Sequence, residues 1–250
     1  MFHKIDMEIW PRAEVFYYFS KMAPTSYSLT ADVDVTRLLR QTRERGIRFF
    51  PAYLWLVTKN LSRQQAFTFA VKDGVPGYYD SLTPLYATWH EDTKTFSFLW
   101  TEYSDDFGTF YGAYLEHQHR YGQNHGVLAR QEMPPENAYT VSALPWVSFS
   151  HFAVHGDVSK PYFFPSVEAG KYHRVGDRVM MPLSLTCHHA TTDGWHISEF
   201  LKELQWDMDD FEKFLEGKHE SVCDGNNHKK VAGRTGHDSA STGTDAECQR

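Results

Sequence analysis

The stretch His188-His189-Ala190-Thr191-Thr192-Asp193-Gly194 joins two segments with different periodicities. Residues 178–187 before it form the most apolar late strand candidate, and residues 194–215 after it repeat apolar side chains at helical spacing. Neighbouring side chains of a strand point to opposite faces, so His188 and His189 cannot both face one pocket. Asp193 follows across a turn marked by Gly194, which lets its carboxylate meet another part of the fold. This junction predicts a base and a local anchor in one site.

The composition limits the class of protein. The chain has 250 residues, 41% of them hydrophobic, which suffices for one large or two small cores, and no composition break divides the first 215. We therefore predict a single domain over residues 1–216. The formal net charge is −7 and no basic run is interleaved with aromatic residues, so we expect no nucleic acid partner. The start lacks the features of a signal peptide and no segment approaches about 18 uncharged apolar residues, which predicts a cytoplasmic protein without a membrane partner.

The composition changes after Leu215. Residues 217–250 contain no aromatic residue and are rich in Gly, Ser, Asp, Asn, His and Lys, so they cannot bury enough apolar surface to offset the entropy of ordering. We predict a disordered polar tail, whose scattered histidines leave weak metal binding open. The three cysteines form no regular framework, and we expect reduced thiols.

Capping residues, periodicity and turn signals locate the main elements. They predict helices over residues 36–46, 49–64, 104–121 and 194–215. Alternating or β-branched runs predict strands over residues 27–35, 138–142, 147–154 and 178–187. Between Phe67 and Trp100, short aromatic and β-branched runs separated by turn dipeptides predict successive antiparallel strands. Strands and helices alternate in this way in an α/β protein.

Three segments, in this order along the chain, resemble a known family. They are Ile9-Trp10-Pro11-Arg12, then Val141-Ser142-Ala143-Leu144-Pro145-Trp146-Val147-Ser148-Phe149, then the motif His188–Gly194. They are similar to the arginine-bearing segment, the serine-bearing segment and the His-His-x-x-x-Asp-Gly motif of the chloramphenicol acetyltransferase family and its acyltransferase relatives. Four further similar blocks extend the resemblance over about residues 9–215: Phe50-Pro51-Ala52, Val71-Lys72-Asp73-Gly74, Trp100-Thr101-Glu102-Tyr103 and Gly170-Lys171-Tyr172.

The resemblance implies a fold and a reaction. The fold is an α/β two-layer sandwich of the coenzyme A-dependent acyltransferase type, in which helices cover a mixed, largely antiparallel sheet. The reaction is direct acetyl transfer from acetyl-coenzyme A, as co-substrate, to a hydroxyl group, with chloramphenicol as the expected acceptor and no acyl-enzyme. A homotrimer is implied, with each active site between His189 of one chain and the acceptor pocket of its neighbour.

Six residues take roles from the resemblance. His189 is the general base, and a neutral imidazole near pH 7 suits proton removal from an alcohol. Ser142 donates its hydroxyl to an oxyanion, and losing one such donor typically lowers the rate about a hundredfold or more. Arg12 and Asp193 form a buried salt bridge that shapes the site. The coenzyme contacts are Lys171, towards a phosphate, and Tyr172, towards adenine.

Each of these residues also has a simpler structural interpretation. An isolated His189 is more often a buried core histidine, Asp193 before a glycine is a common helix cap, and Ser142 is an ordinary strand residue. Lys171 and Tyr172 are also typical of a solvated surface. His188, on the opposite face, is expected to form hydrogen bonds within the core.

Four ionisable side chains around the motif, His188, His189, Asp193 and His196, also raise the possibility of a metal site. Adjacent histidines on a strand diverge, so we predict neither a metal ligand set here nor a metal cofactor.

Two departures from the family's pattern concern the acceptor. Val167-Glu168-Ala169 stands where the family often has Thr-Met, and Ala23-Pro24-Thr25-Ser26-Tyr27 has less apolar bulk than usual. The threonine is thought to organise a water molecule, so Glu168 could weaken the rate or bind a cationic acceptor. Two alternatives therefore stay open. One is a related acyltransferase with a different alcohol or amine acceptor, and the other is a catalytically weak trimeric binding protein on the same scaffold.

Overall fold

The computed structural model describes residues 1–157, 159–160 and 162–215. The predicted tail, residues 217–250, lies outside the described residues. The strands are β1 Phe2–Lys4, β2 Ser26–Asp34, β3 Phe69–Lys72, β4 Val75–Tyr79, β5 Thr83–His90, β6 Thr95–Trp100, β7 Ala138–Leu144, β8 Ser166–Gly170, β9 His173–Val175 and β10 Arg178–His188. The α-helices are α1 Ala13–Tyr17, α2 Thr36–Glu44, α3 Phe49–Ser62, α4 Gln65–Thr68, α5 Phe107–Tyr121 and α6 Gly194–Asp209. A π-helical turn, Tyr18–Met22, and a 3-10 turn, Phe211–Phe214, complete the described elements.

The main sheet has the strand order β2-β10-β8-β7-β5-β6, with β9 also paired to β10. β10 is antiparallel to β2, β8 and β9, and β5 is antiparallel to β6. Only the pairs β5–β7 and β7–β8 are parallel among the described strands. The sheet is therefore mixed and largely antiparallel, as predicted, and the long strand β10 that leads into the motif is one of its inner strands.

The predicted antiparallel run between Phe67 and Trp100 divides between two sheets. β3 and β4 join β1 in a separate sheet of order β1-β4-β3, whereas β5 and β6 belong to the main sheet. Gly77 in β4 permits the close approach of β1, because a Cβ atom there would lie 2.3 Å from the carbonyl oxygen of His3. The turn residues marked strand ends correctly, but they carry no information about which sheet each strand joins.

Residues 147–154 do not form the predicted strand, and β8 and β9 were not predicted. Residues 147–154 cross the sheet instead of pairing in it. The hydroxyl of Ser184 on β10 donates to the carbonyl oxygen of Phe152 in this segment. Phe149 packs over Gly170 at the end of β8, where a Cβ atom would lie 2.8 Å from its ring. Side-chain packing on the sheet therefore overrides the strand propensity of this segment.

Helix α3 is the centre of the core. Eleven of its 14 residues are buried, and apolar side chains surround it on all sides. Helices α2, α5 and α6 pack around it, and the Trp55 indole nitrogen donates to the carbonyl oxygen of Ser104 at 2.8 Å. Of the four positions of α6 predicted to face inward, Ile197, Phe200 and Leu204 are fully buried, whereas Leu201 is only partly buried. No helix of the described residues is long and apolar enough to cross a membrane.

A buried carboxylate ties α6 to α3. Asp207 is 4% exposed, and its oxygens lie 3.2 Å from the Lys59 nitrogen, 3.2 Å from the Arg63 guanidinium and 2.9 Å from the Lys213 nitrogen. Burial opposes ionisation, but the hydrogen bond from Lys213 and the charges of Lys59 and Arg63 hold the pKa of this carboxyl below its usual value. These ion pairs of Asp207 hold α6, the helix that follows the motif His188–Gly194, in a fixed orientation against α3.

The two faces of the main sheet differ in chemistry. One face carries the apolar side chains of the core, such as Val141, Val167 and Leu185. The opposite face, the polar face hereafter, carries hydroxyl and carboxyl side chains: Ser28, Thr30, Thr140, Ser142, Ser166, Glu168, Ser184 and Thr186. Hydroxyl groups pair across strands on this face, at 2.8 Å between Ser28 and Thr186 and 3.0 Å between Thr140 and Ser166. Such a face predicts a site or an interface, because it has too little apolar surface to form a second core.

Candidate active site

His189 follows the last residue of β10, and its ring is held from three sides. Its backbone N–H donates to the carbonyl oxygen of Thr25 at 2.9 Å, which extends the β2–β10 pairing by one residue. Its ring centroid lies 4.2 Å from that of Phe19 and 5.2 Å from that of Tyr27. The ring is therefore half-buried between two aromatic side chains and has one defined orientation.

The hydrogen bond of the His189 ring determines its tautomer. Nδ1 lies 2.9 Å from the carbonyl oxygen of Thr192, and a carbonyl oxygen can only accept a hydrogen bond. Nδ1 therefore carries the hydrogen atom, and in the neutral ring Nε2 holds the lone pair. An oriented imidazole with a basic Nε2 is the arrangement that a general base requires.

His188 lies on the opposite face, as the strand alternation predicts. It is 5% exposed, and its Nδ1 accepts a hydrogen bond from the backbone N–H of Ala190 at 3.1 Å. Its ring packs against Phe163 at 4.9 Å in a second, smaller apolar cluster. The predicted difference in position between the two histidines is confirmed.

Arg12 holds the whole loop after β10. Its Nε donates to the carbonyl oxygen of Ala190 at 3.0 Å, and its Nη2 donates to those of His189 and Thr192, each at 3.0 Å. Its Nη1 donates to the Asp193 carboxylate at 2.9 Å. The Thr192 carbonyl thus accepts from both Arg12 and the His189 ring, so one guanidinium fixes the loop and, through Thr192, the imidazole.

The predicted pairing of Arg12 with Asp193 is confirmed, but the pair is not fully buried. The side chains are 19% and 38% exposed, so solvent screens part of their attraction. The second interpretation of Asp193 also holds, because it is the N-cap of α6: its Oδ1 accepts from the backbone N–H of Trp195 at 3.1 Å, and His196 completes a capping box. Partial burial opposes ionisation, but the Arg12 hydrogen bond and the neighbouring His196 together hold the pKa of Asp193 below its usual value.

Ser142 does not meet His189 within one chain. Ser142 on β7 is paired with Glu168 on β8, which is paired with Ser184 on β10. The serine therefore lies two strands across and five residues along from His189, a separation of about 19 Å at usual strand spacings. No side-chain movement closes that gap.

Lys171 and Tyr172, together with Trp146, line a cavity of about 880 Å³ near the start of β10. The cavity wall also carries the basic side chains Arg40, Arg43 and Arg174 and the acidic side chains Glu44 and Asp177. Val179, at the start of β10, is part of the cavity wall. This part of the cavity therefore lies about 30 Å from His189 of the same chain. Basic groups beside aromatic rings suit a ligand with phosphate groups and a heterocycle.

Glu168 is a fully buried carboxyl group on the polar face, next to Ser142 in the strand register. The Ser166 hydroxyl donates to its Oε1, and its Oε2 has no hydrogen-bond partner among the described residues. Burial raises the pKa of this carboxyl to about 7, against the smaller opposite effect of the Ser166 hydrogen bond. It is therefore a titratable group near neutral pH beside the serine.

The residues that sequence analysis missed are those that orient His189. Thr192 acts through its backbone carbonyl, and no side-chain pattern reports such a contact. Phe19 belongs to the aromatic run of residues 16–19, which has more aromatic side chains than one helix face can bury. This excess was the signal in the sequence that some of these rings contact another part of the fold.

Known proteins are similar to this chain in sequence and in fold. The family model described as chloramphenicol acetyltransferase matches residues 1–205. A chloramphenicol acetyltransferase from Clostridium perfringens is 37% identical over 206 residues, 82% of this chain and 97% of that protein. One from Staphylococcus aureus is 37% identical over 205 residues, 82% of this chain and 94% of that protein.

Solved structures agree with the predicted fold class. A chloramphenicol acetyltransferase structure matches with a TM-score of 0.75 at 24% identity and covers 83% of this chain and 99% of that one. A dihydrolipoamide acetyltransferase from Azotobacter vinelandii matches with a TM-score of 0.56 at 16% identity, over 85% of this chain and 93% of that one. The architecture is thus that of the coenzyme A-dependent acyltransferases. From the family model and the nearly complete coverage of its relatives, the chain belongs to the chloramphenicol acetyltransferase family.

Proposed function

We propose that the protein transfers an acetyl group from acetyl-coenzyme A to a hydroxyl group of chloramphenicol. The observation that carries this proposal is the His189 ring, whose Nδ1 donates to the Thr192 carbonyl and whose Nε2 is left as the base. The family's name supplies the acceptor, and the geometry of the base supplies the chemistry.

The reaction proceeds by direct attack. His189 Nε2 takes the hydroxyl proton as the acceptor oxygen attacks the thioester carbonyl carbon, and a tetrahedral intermediate forms. The Ser142 hydroxyl donates to the oxyanion of this intermediate. The carbon–sulfur bond then breaks, and the thiolate of coenzyme A takes the proton from His189. The enzyme returns to its starting state without an acyl-enzyme.

Each active site is formed between two copies of the chain. The separation of about 19 Å between Ser142 and His189 means that one copy supplies the base and another the oxyanion donor. Lys171 and Tyr172 bind the coenzyme in the cavity with basic walls near the start of β10. The family resemblance sets the number of copies at three.

A different alcohol or amine acceptor is the second candidate function, and Glu168 is the observation that favours it. A buried carboxyl group beside Ser142 adds a charge at the acceptor end above neutral pH, and a cationic acceptor would be attracted by it. The acyl-transfer steps are the same for both acceptors.

Release of the coenzyme A thiol from acetyl-coenzyme A, with and without chloramphenicol, tests the function and the base together. We expect release that depends on chloramphenicol, and a loss of about 10²- to 10⁴-fold in kcat for His189→Ala, the usual contribution of a general base. The affinity for the coenzyme and the thermal midpoint of His189→Ala should stay near those of the unchanged protein, because its ring is only half-buried.

His188→Ala is the matched control. It removes a buried ring and a hydrogen-bond acceptor, so it should lower the free energy of unfolding by about 2 kcal/mol while retaining turnover. Exchanged results for the two variants would contradict the assignment of the base. Thiol release with other alcohols or amines but not with chloramphenicol would favour the second acceptor class, and coenzyme binding without any turnover would favour the non-enzymatic alternative.

The contacts of Arg12 predict coupling with Asp193. Arg12→Ala removes donors from three carbonyl groups and one carboxylate, and we expect a loss of about 2 to 4 kcal/mol of stability. Asp193→Asn keeps the N-cap oxygen but replaces the charged oxygen that accepts from Arg12 with an NH₂ group, and it should cost about 1 kcal/mol, because solvent screens the pair. The turnover of both variants should fall, since the loop orients His189.

Chemical denaturation of the two single variants and the double variant measures this coupling. The double variant should lose less than the sum of the single losses, with a shortfall of about 1 kcal/mol. Arg12→Lys, which keeps the charge but not the planar fork, should behave more like Arg12→Ala than like the unchanged protein. Strict additivity would mean that the contact contributes nothing to the loop.

Glu168→Gln tests the titratable carboxyl group beside Ser142. The folded protein holds this proton up to about pH 7, whereas the unfolded chain releases it near 4.5. The contribution of this group to stability is therefore largest below pH 4.5, falls as the pH rises to 7, and stays constant above it, a total change of about 3 kcal/mol. Denaturation by urea at pH 5 and pH 8 should show this loss in the unchanged protein and not in Glu168→Gln.

The same substitution changes the pH profile of turnover. Above pH 7 the Glu168 carboxylate places a negative charge near the oxyanion, so kcat of the unchanged enzyme should decline there by several-fold relative to Glu168→Gln. Parallel pH profiles of the two proteins, in stability and in kcat, would show that Glu168 does not ionise in the site.

A further inference from the structure

Three metal-ligating side chains that have no part in the proposed acetyl transfer converge at the end of β5. They are His90, the last residue of that strand, Asp92 in the turn to β6, and His125 in the loop after α5. One nitrogen or oxygen atom from each lies within 4.8 Å of the others. We propose that they bind a divalent transition-metal ion, Zn²⁺ by its ligand preference, which joins the β5–β6 turn to the loop after α5.

The hydrogen bonds of His90 leave a nitrogen available for the metal. Its ring is buried, at 4% exposure, and its Nε2 lies 2.8 Å from the Ser97 hydroxyl oxygen. That hydroxyl donates its hydrogen atom to the carbonyl oxygen of Asn124 at 3.0 Å, so it must accept from Nε2–H of His90. The lone pair of the neutral ring is then on Nδ1. A histidine that donates one ring N–H to a neighbour and presents the other nitrogen is the usual arrangement of a metal ligand.

Asp92 and His125 already have the separation of two ligands on one ion. Asp92 Oδ2 lies 3.2 Å from His125 Nε2, close to the distance of about 3.3 Å between ligands in a tetrahedral zinc site. The Thr93 hydroxyl lies 3.5 Å from the other carboxylate oxygen, Oδ1, which leaves Oδ2 directed at His125. The His125 ring stacks on His90 with centroids 4.3 Å apart, and because it is exposed it can rotate to bring its nitrogen closer to that of His90.

The loop that carries His125 is fixed before any ion binds. The backbone N–H of Phe98 on β6 donates to the carbonyl oxygen of Val127 at 2.8 Å. The backbone N–H of Ala129 donates to the carbonyl oxygen of Phe98 at 2.9 Å. The Asn124 side chain donates to the Ala129 carbonyl at 2.9 Å, and Gly126 takes a φ of +104° that other residues rarely adopt. Because both segments are held in place, binding orders little additional chain.

The ligand set selects the class of ion. Two imidazoles and one carboxylate suit Zn²⁺ and its neighbours in the transition series, whereas Mg²⁺ and Ca²⁺ prefer sets of oxygen atoms. Three protein ligands leave a fourth position for water. Sequence spacing did not point to this set, because His125 lies 35 residues after His90, and only the pairing of its loop with β6 brings them together.

Titration of the full-length protein with Zn²⁺ alone, in competition with a chromophoric chelator, tests the proposal. We expect one zinc ion per chain, with affinity at least tenfold lower in His125→Asn and in Asp92→Asn. Both substituted residues are exposed, so the variants should fold. His119→Asn, at an exposed histidine on α5, and a variant with the tail histidines His219, His228 and His237 changed to Asn should bind as the unchanged protein does.

The outcomes separate this proposal from the proposed function. Failure of the unchanged chain to compete for Zn²⁺, or unaltered affinity in both His125→Asn and Asp92→Asn, overturns the metal site. Loss of binding in the tail variant overturns it as well. Acetyl transfer by His125→Asn should equal that of the unchanged protein when both are measured in the presence of the chelator. The result of the zinc titration does not depend on whether chloramphenicol is the acceptor.

Discussion

The guanidinium group of Arg12 is the contact on which the proposed site depends. It donates to the backbone carbonyl oxygens of His189, Ala190 and Thr192 in the loop after β10, and it contacts the carboxylate that begins α6. Without it, the carbonyl oxygens of His189 and Thr192 would have to find other donors in a partly buried loop, an arrangement that folded proteins avoid. Because Thr192 also accepts from the His189 ring, a residue near the N-terminus determines which nitrogen of the proposed base is free.

The main sheet determines where the other residues of the proposed site lie. Its apolar face packs on the buried helix α3, and its polar face carries Ser142 and Glu168, which are level with Ser184 in the middle of β10. The cavity that Lys171 lines, proposed for the coenzyme, lies near the start of β10. A single chain therefore holds the proposed base and the proposed oxyanion donor about 19 Å apart. In the proposed assembly, the base of one copy lies against the serine of the next.

Sequence reasoning succeeded where one local signal determined the structure. The alternation of β10 separated His188 from His189, and helical spacing located α3 and α6, which end two and six residues before their predicted ends. It failed where packing on a distant surface decided the outcome. Residues 147–154 have strand-like composition, yet they lie across the polar face because Gly170 leaves room for Phe149.

The candidate site divides in the same way. The family resemblance supplied Arg12 and Asp193 as a pair, and the structure brings them into contact, although with more exposure than a buried pair has. The carbonyl of Thr192 and the cluster at His90 could not be predicted, because the first has no side-chain signature and the second depends on a loop joined to β6 by tertiary pairing.

The central claim is that His189 and Ser142 act together from different copies of the chain. Its most direct test is the activity of mixed assemblies made from His189→Ala and Ser142→Ala chains, refolded together in equal amounts. Each variant alone should be almost inactive. In randomly mixed assemblies, about a quarter of the sites receive an intact His189 from one copy and an intact Ser142 from its neighbour, so about a quarter of the activity should return. Mixed assemblies no more active than the two variants measured separately would contradict the shared site.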